Sequence, residues 1–499
     1  MKKRTSSLLF ALLLLAMNMA SCGKTVPESD PGTSAPETDG TASEETVPET
    51  EAPIGYERAD LPEADYGGAD YTFWGGLPSD TSQAWQALDA QEQNGEVLND
   101  AIYLRNRKIE ADFGVKISAS ALSTNAKNSA AITQSINAND DVYDAIFWRA
   151  DLLLPLTRDN YFVNYYDMPH INTSAEWWDQ SVVEGFTVAG QLYLGTGDIS
   201  PYTNARVFSI VFNKDMCKEL GLELPYSYVF DGTWTLDRFN YYISNVNSDT
   251  NGDGKMDYED RWGFMSQEGC SWMMYFSGGG RITDTVNGTL ELSYKSERNV
   301  NLAQTALGIA IDQTKTLMGD AMADAESWQA VSDWFANGGS LMRSSAFEPV
   351  PRDYRTMESD FGVLPFPKLD EAQESYYTVP SPSSTMIAFP TTCDRDFVGL
   401  ITEALAAEST HTVTEAFYEK CLNAKSVRDV ESRNILKIIF ENKCFDIGYF
   451  LDFGNFLDNI VGLETGGRTE VSSTFEKISK AANHDLSGFI EDYEGMKNN

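Results

Sequence analysis

The chain has 499 residues, with 37 Lys and Arg against 75 Asp and Glu, which gives a formal net charge of −38. This composition excludes nucleic-acid binding as a function class, because neutralising phosphates requires a basic surface. With 42% hydrophobic residues the chain can bury a full core, and it is too long for one domain, so we expect two lobes.

The N-terminus has the pattern of a bacterial lipoprotein signal. Basic residues at positions 2–4 precede an apolar run from Leu8 to Met19, which is too short to remain as a membrane span. Two small residues and then Cys22 follow this run. We therefore predict a signal peptide over residues 1–21 and a lipid anchor on Cys22. An ordinary secretory signal that happens to contain a cysteine is the alternative.

Residues 22–66 are predicted to be an acidic, disordered tether. They are rich in Pro, Ser, Thr, Gly, Asp and Glu and carry almost no large apolar side chain before Ile54, so they cannot bury a core. A random coil of this length spans about 30–40 Å. Removing residues 1–21 removes three positive charges and no negative ones, which leaves a net charge of about −41 on the mature chain.

Strand and helix patterns then alternate along the chain. Tyr71–Trp74 is typical of a strand, Val97–Phe113 has the apolar spacing of a helix, and Gly114 is a suitable residue to end it. Val115–Ile117 begins a second strand. Val142–Trp148 is a nearly unbroken apolar run, as in a parallel strand that is covered on both faces. This alternation predicts the α/β fold class.

A helix, a loop of cation-binding spacing and a strand meet between Trp234 and Phe264. Thr235 can cap a helix, and the following loop matches the D-x-N-x-D-G-x5-[DE] spacing that places oxygen ligands around calcium. An acidic turn without an ion, in which Asn and Asp satisfy their own backbone, is the alternative. The predicted calcium ligands are Asp249, Asn251, Asp253, the Lys255 carbonyl and Asp260, and Asp257 can act through water.

This block resembles the carbohydrate-type extracellular solute-binding proteins of ABC importers, which are large lipoproteins common in Gram-positive bacteria. Similar segments occur in the same order along nearly the whole mature chain. They are Asn99–Ile117, Val211–Tyr226, Asp360–Thr378 and Arg428–Phe440.

The resemblance implies a two-lobed type II periplasmic-binding-protein fold with hinge crossovers. Such a protein would be a monomer, lipid-anchored at the extracellular face of the cytoplasmic membrane. It would bind an oligosaccharide between its lobes and deliver it to permease subunits, without catalysing a reaction and without a cofactor other than the structural calcium ion. A lipid-anchored carbohydrate-active enzyme and a glycan sensor or adhesin of the same fold are the alternatives.

The resemblance also implies lobes that are discontinuous in sequence. Residues 67–205 and 384–415 form the first lobe, and residues 206–383 and 416–499 form the second. Val207–Phe212 is similar to the crossover strand that leaves the first lobe, and Ser384–Phe389 is similar to the strand that returns to it.

Sugar recognition requires flat apolar faces beside planar hydrogen-bonding groups, and strand ends are where to look for them. The segment that ends in Trp148, Arg149 and Asp151 resembles the sugar-contacting strand and loop of maltodextrin-binding relatives. The alternative places Trp148 in the core and gives Arg149 and Asp151 a helix-capping role.

Further ligand-binding candidates come from the same resemblance and from aromatic side chains next to glycines. Phe347 and Glu348 end a predicted second-lobe strand, although this chain has Phe where the relatives have Trp. Trp74 follows the first strand, Trp272 lies among glycines, and Tyr449 belongs to a C-terminal segment that the family returns to the cleft. Core packing is the alternative for Trp74 and Trp272.

The sequence contains no motif of a nucleophile–base site or of a redox site. The three histidines are scattered, and the cysteines after Cys22 form no C-x-x-C pair. Cys421 and Cys444 are either a disulfide pair or, as we expect, buried thiols.

Overall fold

The computed structural model describes residues 59–75, 88–120, 125–320, 327–354, 357–422 and 430–497. All of them belong to the unit that begins at Ala52. The predicted signal peptide, the Cys22 anchor and the tether as far as residue 58 lie outside the described residues, as does Arg428.

Strands and helices alternate along the described chain. The strands are β1 (Ala69–Gly75), β2 (Val115–Ser120), β3 (Ala145–Arg149), β4 (Phe208–Asn213), β5 (Trp262–Ser266), β6 (Thr283–Val286), β7 (Thr289–Leu292), β8 (Thr316–Met318), β9 (Ser340–Ala346), β10 (Phe361–Leu364) and β11 (Thr385–Ala388). The helices are α1 (Val97–Phe113), α2 (Asn125–Ala138), α3 (Ala150–Leu153), α4 (Gln180–Phe186), α5 (Tyr202–Ala205), α6 (Lys214–Glu219), α7 (Tyr226–Phe230), α8 (Leu236–Ile243), α9 (Cys270–Ser277), α10 (Glu297–Ala310), α11 (Trp328–Ala336), α12 (Val350–Asp353), α13 (Arg395–Thr410), α14 (Val413–Leu422), α15 (Val430–Glu441), α16 (Ile447–Phe450), α17 (Phe456–Thr465) and α18 (Val471–Met496).

The first sheet has the strand order β11-β3-β1-β2 and forms the centre of lobe 1. β1 pairs in parallel with both β2 and β3, whereas β11 pairs with β3 in the antiparallel direction. Strand β11 is separated by more than 200 residues from the other three strands in sequence. It pairs Thr385 with Arg149, so a late segment of the chain completes the first lobe.

The second sheet has the order β10-β4-β9-β5-β8 and forms the centre of lobe 2. β9, β5 and β8 are parallel to one another, and β4 runs antiparallel to β9 and to β10. The β9 end at Ala346 pairs with Phe208, at the start of β4. The C-terminal ends of β9 and β5 therefore lie where the chain enters this lobe.

Three segments of chain lie side by side between the two sheets, and we call them the crossing segments: residues 205–208, 378–384 and 442–446. The Phe208 N–H donates to the Val379 carbonyl at 2.9 Å, and the Ser381 N–H donates to the Arg206 carbonyl at 2.7 Å. Thr378 then exchanges bonds with the third segment, since its carbonyl accepts from the Cys444 N–H at 2.9 Å. The crossing segments are thus a small hydrogen-bonded layer of their own.

The C-terminal helices are divided between the lobes. Helix α14 packs against α1 in lobe 1, whereas α17 packs against α9 in lobe 2. The predicted lobe boundary after residue 415 falls inside α14, and the packing of that helix places all of it with lobe 1. None of the described helices has the length and apolar character required to cross a membrane.

Local sequence signals located several elements well. Helix α1 spans Val97–Phe113, as predicted, and Gly114 follows it with a left-handed φ of 62°. The Thr235 hydroxyl accepts from the Arg238 N–H at 3.3 Å and caps α8. Strand β3, however, begins at Ala145 instead of Val142, and Val142 is 53% exposed. The prediction that the whole run Val142–Trp148 is a covered strand was therefore wrong.

Two buried tryptophans tie the loop before α4 to helix α13. The indole N–H groups of Trp177 and Trp178 donate to the two oxygens of Glu403, at 3.0 and 2.8 Å. The Asn172 N–H donates to the same carboxylate at 3.1 Å. Burial raises the pKa of Glu403, and these three donors oppose that effect. Both tryptophans are therefore structural residues of the first lobe.

All five described cysteines are buried free thiols, so Cys421 and Cys444 form no disulfide.

The Glu403 contacts generate a stability prediction. Glu403→Ala leaves two buried indole N–H donors without an acceptor, and since each costs about 1–3 kcal/mol, we expect the free energy of unfolding to fall by about 2 kcal/mol or more. Urea denaturation measures this loss. Glu419→Ala, on the exposed side of α14, is the control and should change stability by less than about 0.5 kcal/mol. Equal losses in the two variants would contradict the role assigned to Glu403.

Candidate functional site

The end of β3 presents an ion pair next to the crossing segments. Arg149 Nε donates to Asp151 Oδ1 at 2.9 Å and Nη2 donates to Oδ2 at 2.5 Å, a bidentate arrangement that raises the pKa of Arg149. Two backbone bonds hold this strand end against the second crossing segment: the Ala150 N–H donates to the Ser384 carbonyl, and the Asp151 N–H donates to the Pro382 carbonyl. Both side chains are partly exposed.

A second ion pair connects the first crossing segment to the end of β9. Arg206 Nη1 donates to Glu348 Oε2 at 2.8 Å, and Arg206 Nη2 donates to the Ser383 hydroxyl at 2.8 Å. Arg206 therefore contacts lobe 2 and the second crossing segment at once. Its Nε is buried and has no hydrogen-bond partner among the described residues.

Trp272 is a half-buried indole near the same place. Its ring lies 5.6 Å from the Phe208 ring and 5.5 Å from the Tyr449 ring, centroid to centroid. Gly269 allows this packing, because a Cβ there would lie 2.1 Å from the indole Nε1 and the backbone has a φ of +84°. Trp272 thus lies beside the entry of the chain into lobe 2.

These side chains define what we call the junction site: Arg149, Asp151, Arg206, Trp272, Glu348 and Ser383. Five are polar, and one presents a flat aromatic ring. The site lies where the C-terminal ends of β3 and β9 approach the crossing segments. Ligands of open α/β sheets bind outside the carboxyl ends of strands, which makes this the candidate binding site.

Phe347 and Tyr449 do not fit the roles predicted for them. Phe347 is fully buried and packs 5.2 Å from the Phe440 ring, so it cannot stack on a sugar in this conformation. Tyr449 is 1% exposed and donates its hydroxyl to the Pro380 carbonyl at 3.0 Å. Both are core residues. Tyr449 contributes indirectly, since it supports the Trp272 ring and the second crossing segment.

The first-lobe tryptophans are also largely buried. Trp74 stacks on Tyr143 with ring centroids 4.2 Å apart and is 7% exposed, which agrees with the core alternative. Trp148 is 6% exposed, but its buried indole Nε1 has no hydrogen-bond partner among the described residues. Buried polar atoms of native proteins are normally paired, so this N–H suits a water or a ligand oxygen.

Two cavities lie away from the junction site and are both acidic. One of about 620 Å³ opens at the far end of lobe 2 and includes Asp215, Glu219, Arg261 and Glu358. The other, of about 440 Å³, lies next to the third crossing segment. There Lys443 pairs with Asp179 at 3.0 Å, and burial raises the pKa of the adjacent Asp198 to about 6. We prefer the junction site to these two cavities as the candidate binding site, because it combines balanced charge with the partly exposed ring of Trp272.

The predicted calcium loop lies at the end of lobe 2 opposite the junction site, because it precedes Trp262, where β5 begins. Its side-chain oxygens accept backbone N–H bonds: the Asp249 carboxylate accepts from Gly252 and Gly254, at 2.6 and 2.9 Å. The Asp260 carboxylate accepts from Asp257 and Thr250, and these bonds lower its pKa.

The loop geometry is compatible both with a calcium site and with an acidic turn that holds no ion. Each carboxylate oxygen has a second lone pair that a cation can use, so the backbone bonds do not exclude calcium. Across the described part of the chain, however, no group of three or more His, Cys, Asp or Glu side chains converges in a way that could hold a metal ion. The calcium site therefore stays a prediction.

Sequence reasoning missed Arg206 and Ser383. Arg206 directly precedes the strand predicted to leave the first lobe, and Ser383 precedes the return strand. Polar residues next to two predicted crossovers were the available signal. Their partnership, however, joins residues 177 positions apart, and Arg206 and Glu348 are 142 apart, so neither pair appears in a local pattern.

No protein-family model matches the chain, and no curated protein matches it. Solved structures do match. An ABC substrate-binding protein of Listeria monocytogenes, in complex with cycloalternan, is 12% identical, with a TM-score of 0.54 over 84% of this chain and 99% of that one. A cyclo/maltodextrin-binding protein complexed with maltotetraose is 13% identical, with a TM-score of 0.53 over 85% of this chain and 97% of that one.

The GacH receptor of Streptomyces glaucescens, studied without ligand and with acarbose, is 12% identical, with a TM-score of 0.51 over 86% of this chain and 98% of that one. These neighbours are binding proteins or receptors, and each is matched over nearly its whole length. At such low identity the likeness establishes the fold: the chain has the two-lobed α/β fold of ABC substrate-binding proteins.

Proposed function

We propose that the protein binds an oligosaccharide at the junction site, between its lobes, and delivers it to an ABC importer permease. The observation that carries the proposal is the combination, at one point between two lobes, of a partly exposed indole with two arginine–carboxylate pairs, of which the Arg149–Asp151 pair is bidentate. Indole faces pack against the C–H side of a pyranose, and planar charged groups bond its hydroxyls. The sugars bound by two structural neighbours support the same ligand class.

The crossing segments supply the mechanism. They are the connections between the sheets in the described chain, so a change of their backbone angles moves one lobe relative to the other. A ligand that contacts Arg149 in lobe 1 and Trp272 in lobe 2 would favour the arrangement of the lobes in which it touches both residues, which is the closed one in this proposal. The closed protein would then be the form that a permease recognises.

No step of this function requires bond-breaking chemistry. Glycoside hydrolysis uses two carboxylates on opposite sides of the scissile bond, with one carrying a raised pKa. At the junction site both carboxylates, Asp151 and Glu348, are paired with arginines instead. This pairing supports a binding role.

Anchoring by Cys22 remains part of the proposal. We expect Cys22→Ala to release the protein into the medium without changing its melting temperature, because the lipid would be joined to the folded part only through the tether. Cell fractionation measures the distribution. Equal membrane retention of the variant and the wild type would contradict the anchor.

Trp272 provides the test of the binding site. We expect Trp272→Ala to weaken oligosaccharide binding about ten- to a hundredfold, the usual effect of removing an aromatic anchor. Titration calorimetry measures the dissociation constant for a sugar identified by a glycan array. Trp334→Ala is the matched control: this indole is also half-buried but lies at the far end of lobe 2, next to Gly339. Equal effects of the two variants would place the site elsewhere.

Calcium binding is tested by melting with chelator and with millimolar calcium. For a dissociation constant of about 10⁻⁴ M, calcium stabilises the wild type by about 1.4 kcal/mol. Asp253→Ala should abolish this response. Asp370→Ala, which removes the same kind of turn outside the loop, should retain it. A response that is absent in the wild type, or equal in wild type and Asp253→Ala, would show that the loop is an acidic turn without an ion.

A further inference from the structure

Both arginines of the junction site are already neutralised by carboxylates. Asp151 occupies the planar edge of Arg149 through two bonds, and Glu348 bonds one terminal nitrogen of Arg206 while Ser383 bonds the other. The formal charge of these four ionic groups is zero. A ligand that enters the site therefore meets no unpaired guanidinium.

An anionic ligand would have to break one of these pairs. Its carboxylate, sulfate or phosphate would displace Glu348 or Asp151 from the arginine and leave two negative charges next to each other. The side chain of Glu348 is 17% exposed and that of Asp151 is 26% exposed, so water cannot fully solvate the displaced group. An unpaired charge in such a place opposes binding strongly.

The groups that remain for a ligand are uncharged or are single donors. Arg206 Nε, Trp148 Nε1 and the Ser384 hydroxyl are buried without a partner among the described residues. Once a movement of the lobes exposes them, these atoms can bond hydroxyl oxygens without disturbing either ion pair. The net charge of the chain, −38, adds a long-range field that slows the approach of anions.

We propose that the junction site selects uncharged glycans over those that carry carboxylate, sulfate or phosphate groups, and that Glu348 enforces this selection through its pairing with Arg206. The inference rests on the proposed function and specifies its ligand class. Asp151 acts in the same way on Arg149, at a more exposed position.

The test uses matched pairs of ligands and the full mature chain. Each neutral oligosaccharide of a panel is paired with its derivative in which C6 hydroxymethyl groups are oxidised to carboxylates, and titration calorimetry measures both. We expect the wild type to bind the neutral member at least about tenfold more tightly. Glu348→Gln releases Arg206 and should reduce this preference about tenfold. Glu219→Gln, which releases Arg261 at the far end of lobe 2, should leave the preference unchanged.

Asp151→Asn provides a second variant should Glu348→Gln fold poorly, as judged by its melting temperature. A wild type that binds oxidised sugars as tightly as neutral ones would overturn the selection while the sugar-binding function stands. Folded variants that retain the full neutral preference would overturn the role of the carboxylates. If the wild type binds neither member of any pair, the proposed function itself fails, and the inference fails with it.

Discussion

The hydrogen bonds between the crossing segments are the constraint on which the rest of the structure depends. Phe208 bonds Val379, Ser381 bonds Arg206, and Thr378 bonds the third segment at Cys444. The first sheet is completed by β11, which the chain reaches only after it has crossed to lobe 2 and back, whereas all strands of the second sheet lie between Phe208 and Leu364. The same segments place Arg206 between the strand ends of both lobes. The crossing segments thus determine both the arrangement of the lobes and the position of the binding site.

Charge pairing at this point explains why an acidic protein can present arginines to a ligand. A lone guanidinium or carboxylate that is mostly shielded from water is costly, and pairing removes that cost while it leaves single donors available. Arg206 shows the result: two of its nitrogens are engaged by Glu348 and Ser383, and its Nε has no partner in the described chain. The specificity for a ligand then depends on which single hydrogen-bond donors remain unpaired.

The sequence predicted the elements whose signals are local. Helix α1 matched at both ends because Gly114 can adopt the left-handed conformation that ends it. The crossover strands, by contrast, were identified through the family resemblance. Residue exposure was less predictable. In the sequence, Phe347 and Tyr449 are aromatic ligand-binding candidates, as Trp272 is. Only the tertiary packing shows that Phe440 and Pro380 cover Phe347 and Tyr449. The contacts of Arg206 with Glu348 and Ser383 join residues far apart in the chain, so they produce no local sequence pattern.

The central claim, that a sugar bound between the lobes closes them, is tested most directly by an interlobe distance. Spin labels on Lys116→Cys in β2 and Asn301→Cys in α10 report on lobe 1 and lobe 2, and the five described native cysteines are buried and should stay unlabelled. Electron double resonance should show a population with a shorter distance when a bound oligosaccharide saturates the protein. Identical distance distributions with and without that sugar would contradict the account.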